Sequence, residues 1–148
     1  LKRDESVVSI YILVDLQRQI RDRFVNCCAY CRTAESLTVT IFEFEHIIPL
    51  SAGGETIFRN LCLSCPSCNR YKASRQTAID PITEEEVRLF HPHLQAWTEH
   101  FAWSEDATEI IGLTPIARAT ISALRMNRPQ LIRVRKMWVK MGEHPPSI

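Results

Sequence analysis

The chain has 148 residues, 45% of them apolar and 24% charged, with a formal net charge of +1. That length and balance suit one soluble globular domain with a real core, and no apolar run is long enough to span a membrane. The small total hides a segregation, with eight acids against one base from Asp80 to Glu109, then seven bases and no acid from Arg118 to Lys140. Such asymmetry hints at a polyanionic partner, although the total alone does not establish one.

Residues 7–14, VVSIYILV, read as a short strand rather than a signal-peptide core, because Asp4 and Glu5 precede them and no small-residue cleavage site follows. A cytoplasmic protein is expected. Residues 15–25 place Leu16, Ile20 and Phe24 at helical spacing, with Asp15 as N-cap. Residues 37–50 alternate or run apolar and predict a strand ending near His46. The segment SAGGET is a loop whose glycines reach backbone angles closed to other residues. IFRNLCL supplies the returning strand, and CPSCNRYKASR a knuckle running into a short helix with Pro66 in its first turn. Residues 101–113 predict a hairpin turning near Glu105 and Asp106. Thr114 and Pro115 open a helix to about Asn127, and Pro129 opens another that Gly142 stops. HPPSI reads as a frayed tail.

Six cysteines fall in two tight groups: Cys27, Cys28 and Cys31, then Cys62, Cys65 and Cys68. Without a secretory signal this favours a metal site over disulfides. Cys28-x-x-Cys31 and Cys65-x-x-Cys68 each aim two thiolates at one point, and together they complete a tetrahedral, soft-ligand zinc site. With sulfur in all four positions the zinc is structural; the alternative is a buried group of free cysteines. Cys27 and Cys62 are read as packed thiols.

Between and beside the knuckles lie Glu45-His46, Gly53-Gly54, Asn60 and Asn69. The run CAYC … EHIIPLSAGGETIFRNLCLSCPSCNRYK, about residues 28–72, resembles an HNH endonuclease of the zinc-knuckle type. His46 matches the first His, Asn60 the middle Asn and Asn69 the third position, an H-N-N variant. The resemblance implies a ββα-metal core, an antiparallel hairpin followed by a helix, with a catalytic divalent cation between them.

On that reading the fold class is α+β: a ββα-metal core stapled by the four-cysteine zinc site, with an N-terminal helix and a mainly helical C-terminal extension. The expected division is an N-terminal flank over 1–26, the nuclease core over 27–76, and a hairpin with helices over 77–148 packing on it. The expected activity is hydrolysis of phosphodiester bonds in DNA, by nicking or double-strand cleavage, with RNA left open as substrate. His46 is suited to general base because its ordinary pKa lies near neutrality. Glu45 and the Asn69 carbonyl are the candidate ligands of Mg²⁺ or Mn²⁺. The family position before the first His is commonly Asp, so Glu45 is a departure, and Glu43, two residues away, is a second candidate.

Asn60 is expected to brace the 50–56 loop, and Arg70, Lys72 and Arg75 to contact phosphate. Arg133, Lys136 and Lys140 form a stripe on the last helix that is either a phosphate contact or a solvated face. His91, His93 and His100 are assigned surface or packing roles, and the three tryptophans serve as core anchors. The alternative function is a non-catalytic zinc-knuckle module that binds nucleic acid without turnover.

Overall fold

The structure, a computed structural model, describes residues 11–148. The expected strand over 7–14 lies mostly outside them, and Val14 already begins a helix. In chain order the elements are α1 (Val14–Arg23), β1 (Glu43–His46), β2 (Leu61–Ser64), α2 (Pro66–Lys72), β3 (Thr77–Ile79), β4 (Glu86–Arg88), α3 (Trp97–His100), β5 (Phe101–Trp103), β6 (Ile110–Gly112), α4 (Pro115–Leu124) and α5 (Pro129–Lys140). The strands form three separate antiparallel pairs, β1 with β2, β3 with β4 and β5 with β6. This is a mixed α and β protein in which β1, β2 and α2 form a ββα unit.

Helix α1 turns Ile20 fully inward, and Phe24 is buried just beyond its end, as the spacing of apolar residues requires. Asp15 does not cap it. The N-cap is Leu13, and Asp15 sits inside the first turn, where its charge complements the helix dipole.

The long strand expected over 37–50 is only four residues, Glu43–His46. Its register pairs Glu43 with Ser64, Phe44 with Leu63, Glu45 with Cys62 and His46 with Leu61. Upstream, Thr38 Oγ1 donates to the Glu35 carbonyl, a local bond that competes with strand pairing, while Val39 and Ile41 are exposed. The returning strand is shortened likewise, because Phe58–Asn60 form a 3₁₀ turn before β2 begins.

Helix α2 opens on Cys65, whose sulfur accepts the Cys68 amide at 3.4 Å, with Pro66 in the first turn as expected. Its Asn69 and Lys72, three apart, share one helix face. That face meets β1, on which Glu43 and Glu45 point the same way.

Beyond α2 the hairpin β3–β4 was not expected from the sequence; its strands are three residues each. The β5–β6 hairpin falls where predicted. Thr114 Oγ1 accepts the Ala117 amide at 3.1 Å, confirming the cap of α4. That helix ends at Leu124 rather than near Asn127. Arg125 takes the left-handed conformation (φ 49°, ψ 51°), and the Met126 amide reaches back to the Ile121 carbonyl, the bonding of a Schellman stop with Arg where Gly is usual.

A single apolar cluster runs from Ile20 through Tyr30, Leu61, Leu63, Phe90, Trp97 and Phe101 to Leu131. Trp97 is buried within it, and Trp103 and Trp138 pack against it half-buried. Arg135, one of the seven C-terminal bases, is wholly internal. Its guanidinium donates to the carbonyls of Thr108 (3.0 Å) and Met126 (2.8 Å) and to Asn127 Oδ1 (3.1 Å), and burial pulls its pKa down to about 10. The expected frayed tail is anchored at its start. His144 is buried against Trp103 and donates through Nε2 to the Ala107 carbonyl at 2.9 Å.

Candidate active site

The sulfurs of Cys28, Cys31, Cys65 and Cys68 lie within 4.8 Å of one another, and all four residues are buried. A tetrahedron with Zn–S bonds of about 2.3 Å has sulfurs about 3.8 Å apart. Cys31 Sγ and Cys65 Sγ are 3.8 Å apart. Sulfur contacts, first from Cys28, pull the Cys31 thiol below its ordinary pKa, whereas burial pushes Cys28 well above its own. Four thiolates in one buried pocket repel, and a soft divalent cation removes that conflict. The donor set fits zinc.

Cys27 and Cys62 stand apart from this group. Burial pushes Cys27 up to about 11, as for an inert packed thiol. Cys62 is fully buried and donates to Glu45 Oε2 at 3.2 Å.

His46 and Asn60 lie at one end of the hairpin, and Asn69 on α2 faces β1. Strand β1 stops at His46, and the Asn60 side chain takes over where the ladder ends. Its Oδ1 accepts the Ile48 amide at 2.8 Å, while Nδ2 donates to the carbonyls of Ile48 (3.0 Å) and Glu55 (2.9 Å). All three bonds tie down the loop that follows His46. The two glycines have separate reasons. Gly53 takes φ +84°, and a Cβ on Gly54 would sit 1.8 Å from the Ile48 carbonyl oxygen.

His46 is half-buried, with Nε2 2.9 Å from Thr56 Oγ1. Burial lowers its pKa from the ordinary imidazole value, opposed by Glu45 and reinforced by Lys72. An open depression of about 330 Å³ is lined by Glu45, His46, Pro49, Ser51, Asn69 and Ser74, among others. Glu45, His46 and Asn69 therefore share one site, as the end of the strand at His46 allows.

Glu45 is nonetheless committed inward. Its side chain is 4% exposed, Tyr30 donates to Oε2 at 2.7 Å, and Lys72 Nζ lies 2.5 Å from Oε1. Oε1 has no donor in good hydrogen-bond geometry, so Lys72 holds it by charge rather than by a directed bond. Glu43 is exposed and accepts a hydrogen bond from Asn69 Nδ2, which leaves the Asn69 carbonyl oxygen turned to other uses. Asn69 and Glu43 carry oxygens of the kind a hard divalent cation takes, whereas the Glu45 carboxylate is already engaged by Lys72 and Tyr30.

Lys72 requires a correction. The sequence points it at phosphate, but its side chain is 2% exposed, and Nζ also donates to the Ile47 carbonyl at 2.9 Å. A charge buried against a carboxylate is not available to a ligand. Arg70 and Arg75, by contrast, are exposed.

The remaining histidines pack. His93 donates to the Leu61 carbonyl at 2.7 Å between Phe24 and Phe58, His91 accepts the amides of His93 and Leu94, and His100 pairs with Thr114. Arg133, Lys136 and Lys140 all stand exposed on α5.

Sequence reasoning missed Thr56, Tyr30 and the true place of Lys72. The Asn69-x-x-Lys72 spacing was the available signal for Lys72, since it puts both on the face that meets β1. Nothing in the local pattern marks Thr56 or Tyr30.

No curated protein and no solved structure gives a significant match to the chain. Among the described residues no helix is long and apolar enough to cross a membrane. Residues 28–75, the stretch holding both knuckles, His46, Asn60 and Asn69, match the family model described as HNH endonuclease.

Proposed function

We propose that the chain is a metal-dependent endonuclease hydrolysing phosphodiester bonds in DNA, with His46 as general base and zinc as scaffold. The observation that carries this reading is His46 at the end of β1, open to the same depression as Asn69. In the tautomer whose Nε2–H donates to Thr56, the lone pair on Nδ1 is left to accept a proton from the attacking water. Asn60 fixes the loop, and with it the direction of the imidazole. A hard divalent cation held by Asn69 and a glutamate, Glu43 or Glu45, would neutralise charge on the phosphoryl and leaving oxygens.

The test compares plasmid nicking by the parent and variants, with Mg²⁺ or Mn²⁺, beside zinc content and thermal midpoint. His46→Ala should lose about 10²–10⁴-fold in rate and keep its zinc. Asn69→Ala should raise the Mg²⁺ concentration for half-maximal cleavage, and Asn60→Ala should lower the rate. A folded His46→Ala protein that cleaves at the parental rate overturns the mechanism.

The second reading is a zinc-knuckle module that binds nucleic acid without turnover. The engagement of Glu45 by Lys72 favours it, because the carboxylate beside His46 is already neutralised. A parent protein that cleaves neither DNA nor RNA with any divalent ion would leave this reading standing.

A further inference from the structure

On the far side of α2 from Asn69, a polar cleft of about 500 Å³ opens between α2, the β3–β4 hairpin and α4. Its lining includes Tyr71, Arg75, Thr77, Glu86, Ser122 and Arg125. Arg125 and Arg128 both approach the Tyr71 ring, with guanidinium carbons 4.9 and 5.9 Å from its centroid. Arg125 reaches the ring from the left-handed stop of α4. Two arginines thus flank one aromatic side chain, and a third, Arg75, lines the same cleft. Among the described residues none of the three belongs to a salt bridge. The one carboxylate lining the cleft, Glu86, accepts the Thr77 hydroxyl at 2.6 Å. The arginines outnumber this one carboxylate, and a bound polyanion relieves the repulsion between them.

We infer that Arg125 and Arg128 on the Tyr71 ring, with Arg75 in the same cleft, form a second phosphate-binding site for the nucleic-acid strand cleaved at His46. This rests on the endonuclease reading. Asn69 and Tyr71 are two residues apart on α2, so their side chains leave the helix on nearly opposite sides. The turn after α2 joins the two sides: Ala73 and Ser74 line the His46 depression, and Arg75 lines the cleft. A strand whose scissile phosphate sits in the depression runs over this turn, past exposed Arg70, and lays its next phosphates against the arginines. Fork-shaped guanidinium groups suit phosphate oxygens, and the Tyr71 ring keeps two of them side by side.

The test is equilibrium binding of fluorescein-labelled duplex DNA to the full chain, followed by anisotropy from 50 to 300 mM KCl with Ca²⁺ in place of Mg²⁺. The same-sequence single strand and RNA are run in parallel, with inorganic phosphate as competitor. Each phosphate neutralised by the protein adds about one to the slope of log K against log[salt]. Arg125→Gln/Arg128→Gln should flatten the slope by about two, Arg125→Lys/Arg128→Lys should retain most of it, and inorganic phosphate should compete only weakly. If the double Gln variant melts below the parent, Arg125→Gln alone decides, and its slope should fall by about one. A parent that binds while these variants keep its slope overturns the site, without touching the role of His46. Phosphate competing as well as DNA would make it a free-phosphate site and overturn the strand path. A parent that binds no nucleic acid overturns both, whereas failure of the His46 test alone leaves the site in place.

Discussion

Lys72 and Glu45 form an ion pair sealed inside the protein, with side chains 2% and 4% exposed. Removing one member of such a pair leaves the other buried and unpaired, which typically costs about 3–5 kcal/mol. Lys72→Met should therefore destabilise strongly, as Nζ also holds the Ile47 carbonyl beside His46. Adding Glu45→Gln should recover part of the loss, because the stranded charge disappears while Tyr30 still has an acceptor. Urea melts of the parent, both single variants and the double variant measure this. Additive losses would show that the two side chains do not act as a pair.

The four-sulfur cluster leads to a second prediction. In small zinc modules the apparent metal-binding free energy, about 10–16 kcal/mol, is coupled to folding. One tightly held zinc per chain is expected, and Cys65→Ser should lose it and melt well below the parent. Cys65 also caps α2 through its sulfur, so the helix carrying Asn69 should loosen too. Metal analysis and circular dichroism check both effects. Native protein without zinc would remove the scaffold assignment.

Much of this site was legible in the sequence because its parts are local and ordered along the chain. The CxxC turns, the Thr114 cap and the proline at the start of α2 are short-range chemistry, and each stands where the residues said. The lengths of β1 and β2 were not legible. Thr38 and Asn60 spend their side chains on the backbone, and that choice depends on partners the local pattern does not contain. Lys72 misleads for a related reason. A lysine in the last turn of a short helix looks exposed until the strand opposite is known to carry Glu45.

Gly54 has a narrow requirement. A methyl group there meets the Ile48 carbonyl oxygen at 1.8 Å and Asn60 Nδ2 at 2.9 Å, both parts of the brace behind His46. Gly54→Ala should shift this loop, with a stability loss on the order of 1–3 kcal/mol and a fall in nicking rate. Gly53→Ala should be milder in its contacts, since nothing lies within 4 Å, although φ +84° still strains it. Equal activities of the two variants would remove the contact argument for Gly54.

Asp80 and Arg118 make a two-pronged pair, Nε to Oδ1 at 3.0 Å and Nη2 to Oδ2 at 2.8 Å, while the same carboxylate takes the Ile82 amide and the Thr83 hydroxyl. The Arg118 bond, first among these causes, holds the Asp80 pKa well below the usual carboxylate value. A depressed carboxylate stabilises the fold above its unfolded pKa of about 3.9, and the contribution is lost as pH falls below that value. Asp80→Asn should lower the melting temperature at pH 7 and narrow that gap toward pH 3. A gap that stays constant with pH would mean that Asp80 contributes no charge-dependent stability.

Trp97 donates its indole N–H to the Tyr30 carbonyl at 2.9 Å, across 67 positions of chain. Tyr30 sits inside the first knuckle, between Cys28 and Cys31, and Trp97 lies well past residue 75, where the family match ends. Contacts of such sequence separation must wait for long loops to close, and they slow folding relative to local pairing. The four-sulfur pocket is thus closed by a segment outside the matched stretch. Its cooperative unit is expected to be larger than that stretch, so the closing of the pocket would depend on a residue that lies outside both cysteine pairs.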